Sequence, residues 1–135
     1  MKKILVIDGQ GGRIGALLVT EIKKRFPLYE VTAVGTNVLA TGAMLKAGAD
    51  NGATGENPVA VAARTADVIV GPIGIVIADS LLGEVTPNMA LAVGQSQATK
   101  ILIPMMRCNN LIAGIRQQSM SDLLEDVLNK IADFT

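Results

Sequence analysis

The sequence predicts an α/β protein, a three-layer domain with a mostly parallel sheet, and two observations carry that prediction. Short, uninterrupted aliphatic runs recur along the chain, as expected for strands that are buried on both faces. Between these runs lie segments with helical apolar spacing, cap residues and helix-starting prolines. Because strands that alternate with helices pair in parallel through crossover connections, this order favours a sheet covered by helices on both faces.

Composition narrows the class of protein. The 135 residues suffice for one domain, residues 1–135, with a substantial core. Twelve basic and twelve acidic residues give no net charge, and only three residues are aromatic, so we expect no nucleic-acid partner. We expect no membrane partner either, because no apolar stretch has the length of a membrane span. The first apolar run is too short for a signal peptide, and the single cysteine, Cys108, suits a reducing compartment, so we expect a cytoplasmic protein.

The first half of the chain begins with a strand, a glycine turn and a helix. Pro27 stops that helix, and Gly48 is the expected C-cap of the second one. A polar, glycine-bearing loop is expected at 51–57. The predicted elements are the strand Ile4–Ile7, the helix Arg13–Phe26, the strand Glu30–Val34, the helix Val38–Ala47 and a very short strand near Ala49–Asn51.

The second half repeats this alternation. Asn57-Pro58 and Thr86-Pro87 each combine an N-cap residue with a proline at the first helical position, and Ser119 caps a final amphipathic helix. The predicted elements are a helix from Asn57 to Thr65, the strand Asp67–Val70, a helix from Thr86 to Ser96, the strand Lys100–Ile103, an edge strand Leu111–Ile115 and the final helix after Ser119.

The segment Ile73–Val85 is apolar almost all round a helix, with Asp79 and Ser80 as its main polar interruption. A helix without a polar face is buried, either in the core or against another subunit. We therefore expect a homodimer that uses this segment. Burial inside the monomer, under the helix that starts at Pro87, is the alternative that the pattern leaves open.

A glycine turn directly follows the first strand. Gly9, Gly12 and Gly15 are spaced G-x-x-G-x-x-G, and Gly11 lies between them. Glycines allow a tight turn and close approach of the backbone to a phosphate, and the N–H groups of the next helix point at the ligand. The turn resembles the nucleotide turn of dihydrodipicolinate reductases, which bind a nicotinamide dinucleotide. However, the second strand ends in Thr36-Asn37, without the acidic residue that binds an adenosine ribose or the nearby arginine that binds a 2′-phosphate. A nucleotide, a dinucleotide and a smaller phosphorylated or carboxylate ligand all stay open.

Polar and special residues follow the carboxyl ends of several predicted strands. In an open parallel sheet these ends lie at one edge, where ligands bind in the crevice at the topological switch point. We therefore predict that an anionic small molecule binds there. The predicted site residues are Asp8, Gly9, Gln10, Gly11, Gly12, Arg13, Gly15, Asn37, Gly71, Gly74 and Arg107.

The sequence leaves open whether the protein is an enzyme. It has no histidine, which removes the commonest general base and the commonest metal ligand, and we predict no metal site. Asp8 has two alternative roles, a structural one as acceptor of turn N–H groups, or a functional one as acceptor of a ligand hydroxyl or general base. Glu56, Asp79 and Glu84 are further acidic candidates, for which a structural role is the commoner outcome.

The motifs together resemble one small family. I-D-G-Q-G-G-R-I-G, N-G-A-T-G-E-N, A-D-V-I-V-G-P-I-G-I-V and K-I-L-I-P are similar to a domain-of-unknown-function family of Rossmann-like proteins from anaerobic Gram-positive bacteria. That resemblance implies the fold and brings no assigned activity or catalytic residues. Two readings follow, a protein that binds an anionic small molecule at the Gly9–Gly15 turn, or a non-catalytic Rossmann-like homo-oligomeric or accessory subunit whose glycines serve only close packing.

Overall fold

A computed structural model describes residues 1–104 and 109–135 of the chain. Five parallel strands form one sheet in the order β3-β2-β1-β4-β5. The strands are β1 Lys3–Asp8, β2 Glu30–Gly35, β3 Asn51–Thr54, β4 Val68–Pro72 and β5 Thr99–Ile103. The helices are α1 Arg13–Arg25, α2 Val38–Lys46, α3 Glu56–Ala63, α4 Pro87–Gln95 and α5 Met120–Phe134. The predicted three-layer Rossmann-like fold is confirmed, including all four strands with aliphatic runs.

The central strands are buried because helices cover both faces of the sheet. Side chains alternate along β1, so that Ile4 and Val6 pack on one face while Leu5 and Ile7 pack on the other. The first face carries α1, α2 and α5, and the second carries α3 and α4. The chain changes face after β3, so β1 and β4 lie next to each other at the switch point. Their carboxyl ends flank the predicted crevice.

Three helices begin at side-chain caps, and two of these caps, Thr86 and Ser119, are the ones that the sequence predicts. Asn37 Oδ1 accepts a hydrogen bond from the amide of Ala40 at 2.9 Å. Thr86 and Ser119 cap α4 and α5 in the same way, each at 3.1 Å. Within the described ranges, no helix has both the length and the apolar character needed to cross a membrane.

The expectation of a helix over Ile73–Val85 is wrong. A 3₁₀ turn at Ile73–Val76 is followed by a compact loop, which the amide of Asp79 closes by donating to the carbonyl of Val85 at 2.8 Å. Asp79, Leu81 and Leu82 all have positive φ values, between 56° and 66°, which no right-handed helix allows. Ile75 and Val85 are buried, whereas Leu82 is 90% exposed. The apolar residues of this segment therefore belong to a loop. Those near its two ends anchor it in the core, and they do not form the continuous face of a helix.

Several smaller expectations also need correction. The very short strand predicted near Ala49–Asn51 lies later in the chain, because β3 occupies Asn51–Thr54, inside the segment expected to be a loop. The helix α3 starts at Glu56 after Gly55, so the prediction of Asn57 as its N-cap is wrong. As an edge strand, β3 pairs only with β2 and tolerates polar, exposed residues, which hides its extent from a hydrophobic pattern. The edge strand expected at Leu111–Ile115 does not form, because Gly114 takes a left-handed conformation and Leu111 is 89% exposed.

Candidate functional site

The turn between β1 and α1 is fixed by the buried carboxylate of Asp8. Asp8 Oδ1 accepts a hydrogen bond from the amide of Gly9 at 2.8 Å, and Oδ2 accepts one from the amide of Gly15 at 2.7 Å. Burial raises the pKa of Asp8 above its ordinary value, while these two amides lower it. Asp8 therefore links the end of β1 to the first turn of α1. Its contacts are those of a structural acceptor, the first of its two predicted roles.

Gly12 is required by backbone geometry and by α2. It has φ +72°, a conformation that costs an L-residue free energy, and its amide donates to the carbonyl of Gly9 at 2.9 Å. A Cβ at Gly12 would lie 2.7 Å from the Cα of Ala40. The backbone of α2 therefore already occupies the space that a side chain at Gly12 would fill.

Gly9 and Gly15 are also explained by close packing. A Cβ at Gly9 would lie 2.5 Å from Thr36 Oγ1 and 2.8 Å from a methyl carbon of Leu81. A Cβ at Gly15 would lie 2.5 Å from the sulfur of Met44. Three of the four turn glycines thus have a steric reason within the fold itself.

Gly11 is different, because the fold gives no steric reason for it. It is exposed, and a Cβ there would meet only Arg13 Cγ, at 4.0 Å. In the G-x-G-x-x-G turn of dinucleotide-binding folds, the second glycine lets the backbone approach a pyrophosphate. Gly9 and Gly11 have the spacing of the first two glycines of that turn, although Ile14 stands where the third would be. Gly11 lies in the open, exposed part of the turn.

The open part of the turn also carries free donors. The amides of Gly11, Arg13 and Ile14 find no acceptor among residues 1–104 and 109–135. They lie at the positive end of the α1 dipole, where an anion is stabilised. The exposed guanidinium of Arg13 makes no ion pair with any residue that the structure describes. The amides offer an anion three backbone N–H groups, and the guanidinium adds a positive charge with further N–H donors.

A carboxylate from a distant loop reaches the same turn. Glu84 Oε1 accepts hydrogen bonds from the amide of Gln10 at 2.8 Å, from Thr36 Oγ1 at 2.7 Å and from Asn37 Nδ2 at 2.8 Å. Asn37 Nδ2 also donates to the carbonyl of Gln10 at 2.9 Å. Three amides of the predicted site, those of Gly9, Gln10 and Gly15, are thus occupied by carboxylates of the protein itself.

The environment of Glu84 keeps its carboxylate ionised. Burial raises the pKa of Glu84, but the hydrogen bonds from Thr36, Gln10 and Asn37 outweigh burial and hold the pKa below its ordinary value. Asp8 lies close enough that the charge of Glu84 contributes to the raised pKa of Asp8. The turn therefore carries negative charge of its own beside its free amides.

The structure brings most of the predicted site residues together. Asp8 and the Gly9–Gly15 turn lie at the end of β1, and Asn37 contacts Gln10 across the crevice. Gly71 lies within β4, and a Cβ there would clash with the carbonyl oxygen of Ile7, so its role is close strand approach. Gly74 lies in the 3₁₀ turn, where its carbonyl accepts a hydrogen bond from Ser80. Arg107 lies outside the described residues.

Comparison with known proteins places the chain in a family. A family model described as Domain of unknown function (DUF3842) matches residues 3–135. The chain belongs to this family. The resemblance to a domain-of-unknown-function family is thereby confirmed, whereas the resemblance to dihydrodipicolinate reductases stays a prediction.

Other comparisons are less specific. No curated protein matches the chain. Among solved structures, the chain is similar to a dodecameric FMN-dependent UbiX-like decarboxylase from Escherichia coli O157:H7, with 18% identity and a TM-score of 0.47. That similarity covers 99% of this chain and 76% of the other.

Sequence reasoning missed the contacts of Glu84. The residue was one of three acidic candidates with a structural role as the expected outcome, and nothing in its local pattern connects it with a turn 74 residues away. The available signal was the absence of an acidic residue after β2, which leaves two donors, Thr36 and Asn37, without a local acceptor. Among the described residues, no group of three or more His, Cys, Asp or Glu side chains is placed to hold a metal ion.

Proposed function

We propose that the protein binds the anionic group of a small molecule, a nucleotide or another phosphorylated or carboxylate compound, at the Gly9–Gly15 turn. The observation that carries this proposal is Gly11. Its amide is free, and the packing of the fold does not require a glycine at this position. A hydrogen bond to a charged group contributes about 1.5–3 kcal/mol, so three amides can hold an anion without a dedicated pocket of basic residues.

Arg13 supplements the amides. Its guanidinium is the exposed cation nearest in sequence to the free N–H groups, and it leads the first turn of α1. We assign no catalytic step to the site. As part of the same proposal, residues 1–135 form a single domain, the protein acts in the cytoplasm, and the bound molecule, a nucleotide or dinucleotide among the candidates, is its partner.

The alternative is a non-catalytic homo-oligomeric or accessory subunit, in which the turn serves packing alone. A specific observation favours it, since the Cβ positions of Gly9, Gly12 and Gly15 are all filled by neighbouring atoms. The two functions differ in what they require at Gly11. Packing tolerates a side chain there, whereas ligand binding does not.

That difference defines the experiment. Isothermal titration with sodium pyrophosphate and with nicotinamide, flavin and adenine nucleotides is compared for the wild type, Gly11→Val and Gly94→Val. Gly94 is a matched control, because it is an exposed glycine near the end of α4 with open space around its Cβ, at the opposite edge of the sheet. We expect wild type and Gly94→Val to bind at least one of these compounds and Gly11→Val to lose that binding.

Two results would contradict the proposal. If the wild type binds none of the compounds, the packing function stands alone. If Gly11→Val binds as tightly as the wild type, the ligand contacts another part of the molecule. Circular dichroism of all three proteins verifies that each substitution leaves the fold intact, as the open surroundings of both glycines predict.

A further inference from the structure

Glu84 occupies the place where dinucleotide-binding folds present an acidic residue. In those folds, an Asp or Glu at the end of the second strand accepts hydrogen bonds from the ribose hydroxyls. Here β2 ends at Gly35 and is followed by Thr36 and Asn37, which have no charge. Glu84 contacts both of these side chains, at 2.7 and 2.8 Å. The loop after β4 therefore delivers to the end of β2 the carboxylate that β2 itself lacks.

One oxygen of this carboxylate is available. Oε1 accepts all three of the hydrogen bonds described above, whereas Oε2 accepts none from the described residues. No lysine or arginine in the described part of the chain pairs with Glu84. An ionised carboxylate accepts about four hydrogen bonds, so Oε2 has unfilled capacity. The three hydrogen bonds to Oε1 hold the carboxylate in position, so Oε2 is a fixed acceptor.

The chemistry of an open carboxylate selects its partner. A second anion would be repelled by Glu84, and a metal ion would require further ligands, which no cluster of the described residues supplies. A hydroxyl group donates to a carboxylate without either penalty, and a ribose presents two hydroxyls side by side. The amide of Gln10, which holds Oε1, is adjacent in sequence to the free amide of Gly11. A hydroxyl site and an anion site therefore lie next to each other.

We infer that Glu84 is the specificity-determining residue of this site and that it selects ribonucleotides by accepting the ribose hydroxyls at Oε2. This inference rests on the proposed function, since it assumes that the free amides of the turn hold the phosphate groups. It goes beyond that function by naming the ligand class and the side chain that recognises it.

The test separates phosphate binding from ribose binding. Isothermal titration without divalent cations compares inorganic pyrophosphate, ADP and 2′,3′-dideoxy-ADP, each with the wild type, Glu84→Gln and the control Glu125→Gln. Glu125 lies on α5 and pairs with Arg25 at 2.9 Å, at the far end of α1 from the turn. Both substitutions remove one negative charge, but only Glu84→Gln removes it at the site.

We expect the wild type and Glu125→Gln to bind ADP roughly 10- to 100-fold more tightly than 2′,3′-dideoxy-ADP, the range for loss of a charge-assisted hydrogen bond. In Glu84→Gln this ratio should fall towards one. Pyrophosphate should bind Glu84→Gln at least as tightly as it binds the wild type, because a nearby negative charge has been removed. A damaged fold would weaken the binding of every compound. Loss of the preference for ADP together with undiminished pyrophosphate binding therefore cannot arise from a damaged fold.

The failures are distinguishable. If pyrophosphate binds but the wild type does not prefer ADP to its dideoxy analogue, the proposed function stands and the role of Glu84 is refuted. If the preference persists in Glu84→Gln, another group reads the ribose and the inference is equally wrong. If none of the three compounds binds the wild type, the inference fails together with the proposed function.

Discussion

Replacing Gly12 with alanine should destabilise the fold far more than the same change at Gly11. Alanine at Gly12 must adopt φ +72°, which costs about 1–2 kcal/mol, and its Cβ must displace the backbone of α2 near Ala40. Crowding in a packed region costs a further 1–3 kcal/mol, about 2–5 kcal/mol in all. At Gly11 neither penalty applies, because φ is not left-handed and the nearest atom is 4.0 Å away. Reduced entropy of the unfolded chain can even stabilise Gly11→Ala by about 0.4–1 kcal/mol.

Urea denaturation followed by circular dichroism measures the free energy of unfolding of both variants. The two substitutions are chemically identical and lie next to each other in the sequence, so their difference isolates the local geometry. Since natural domains unfold with about 5–15 kcal/mol, the expected loss for Gly12→Ala is a large fraction of the total. If Gly12→Ala is no less stable than Gly11→Ala, the contact between the turn and α2 is wrong, and so is the division of the glycines into packing and ligand positions.

Two further predictions concern charge and assembly. The pKa of Glu84 is lowered by folding, so its stabilising contribution is complete above its ordinary value of 4.5 and disappears as pH falls through the folded pKa. The stability difference between the wild type and Glu84→Gln should therefore shrink as the pH is lowered from neutral through that folded pKa, and a constant difference would contradict this prediction. The homodimer predicted from Ile73–Val85 stays a prediction, and Leu82 is its best probe because this apolar side chain is 90% exposed. Light scattering at micromolar concentration should show a dimer of the wild type, and Leu82→Ser should weaken that dimer. A monomeric wild type would refute the prediction.

The parts of the fold that could be predicted from the sequence are those specified by local physics. Aliphatic runs such as Val68–Val70 are buried on both faces and identify central strands without further information. Caps such as Thr86 followed by Pro87 identify helix starts, and the structure confirms the start of α4 there. These signals need no knowledge of tertiary contacts, because each residue's own neighbours in sequence carry the preference.

The elements that could not be predicted depend on contacts between distant segments. The sequence predicts a very short strand near Ala49–Asn51, but the position and length of β3 depend on its pairing with β2, because its own residues have little apolar character. The loop at 77–85 is held by anchors that include Asp79 with Val85 and Glu84 with Gln10, which allow Leu81 and Leu82 to keep left-handed conformations. A segment that is apolar all round has no helical periodicity, so its pattern alone cannot distinguish a buried helix from a loop that is anchored at its ends.

The candidate site shows the same division, and it bears on the choice between the two functions. A G-x-x-G-x-x-G pattern cannot distinguish glycines that pack from a glycine that leaves room for a ligand, since both appear as the same letter. The structure assigns Gly9, Gly12 and Gly15 a steric role and leaves Gly11 without one. A turn used for packing alone has no need of glycine at an exposed position that alanine could occupy without strain. Gly11, with its free amide, is therefore the residue at which the ligand-binding function and the packing function make opposite predictions.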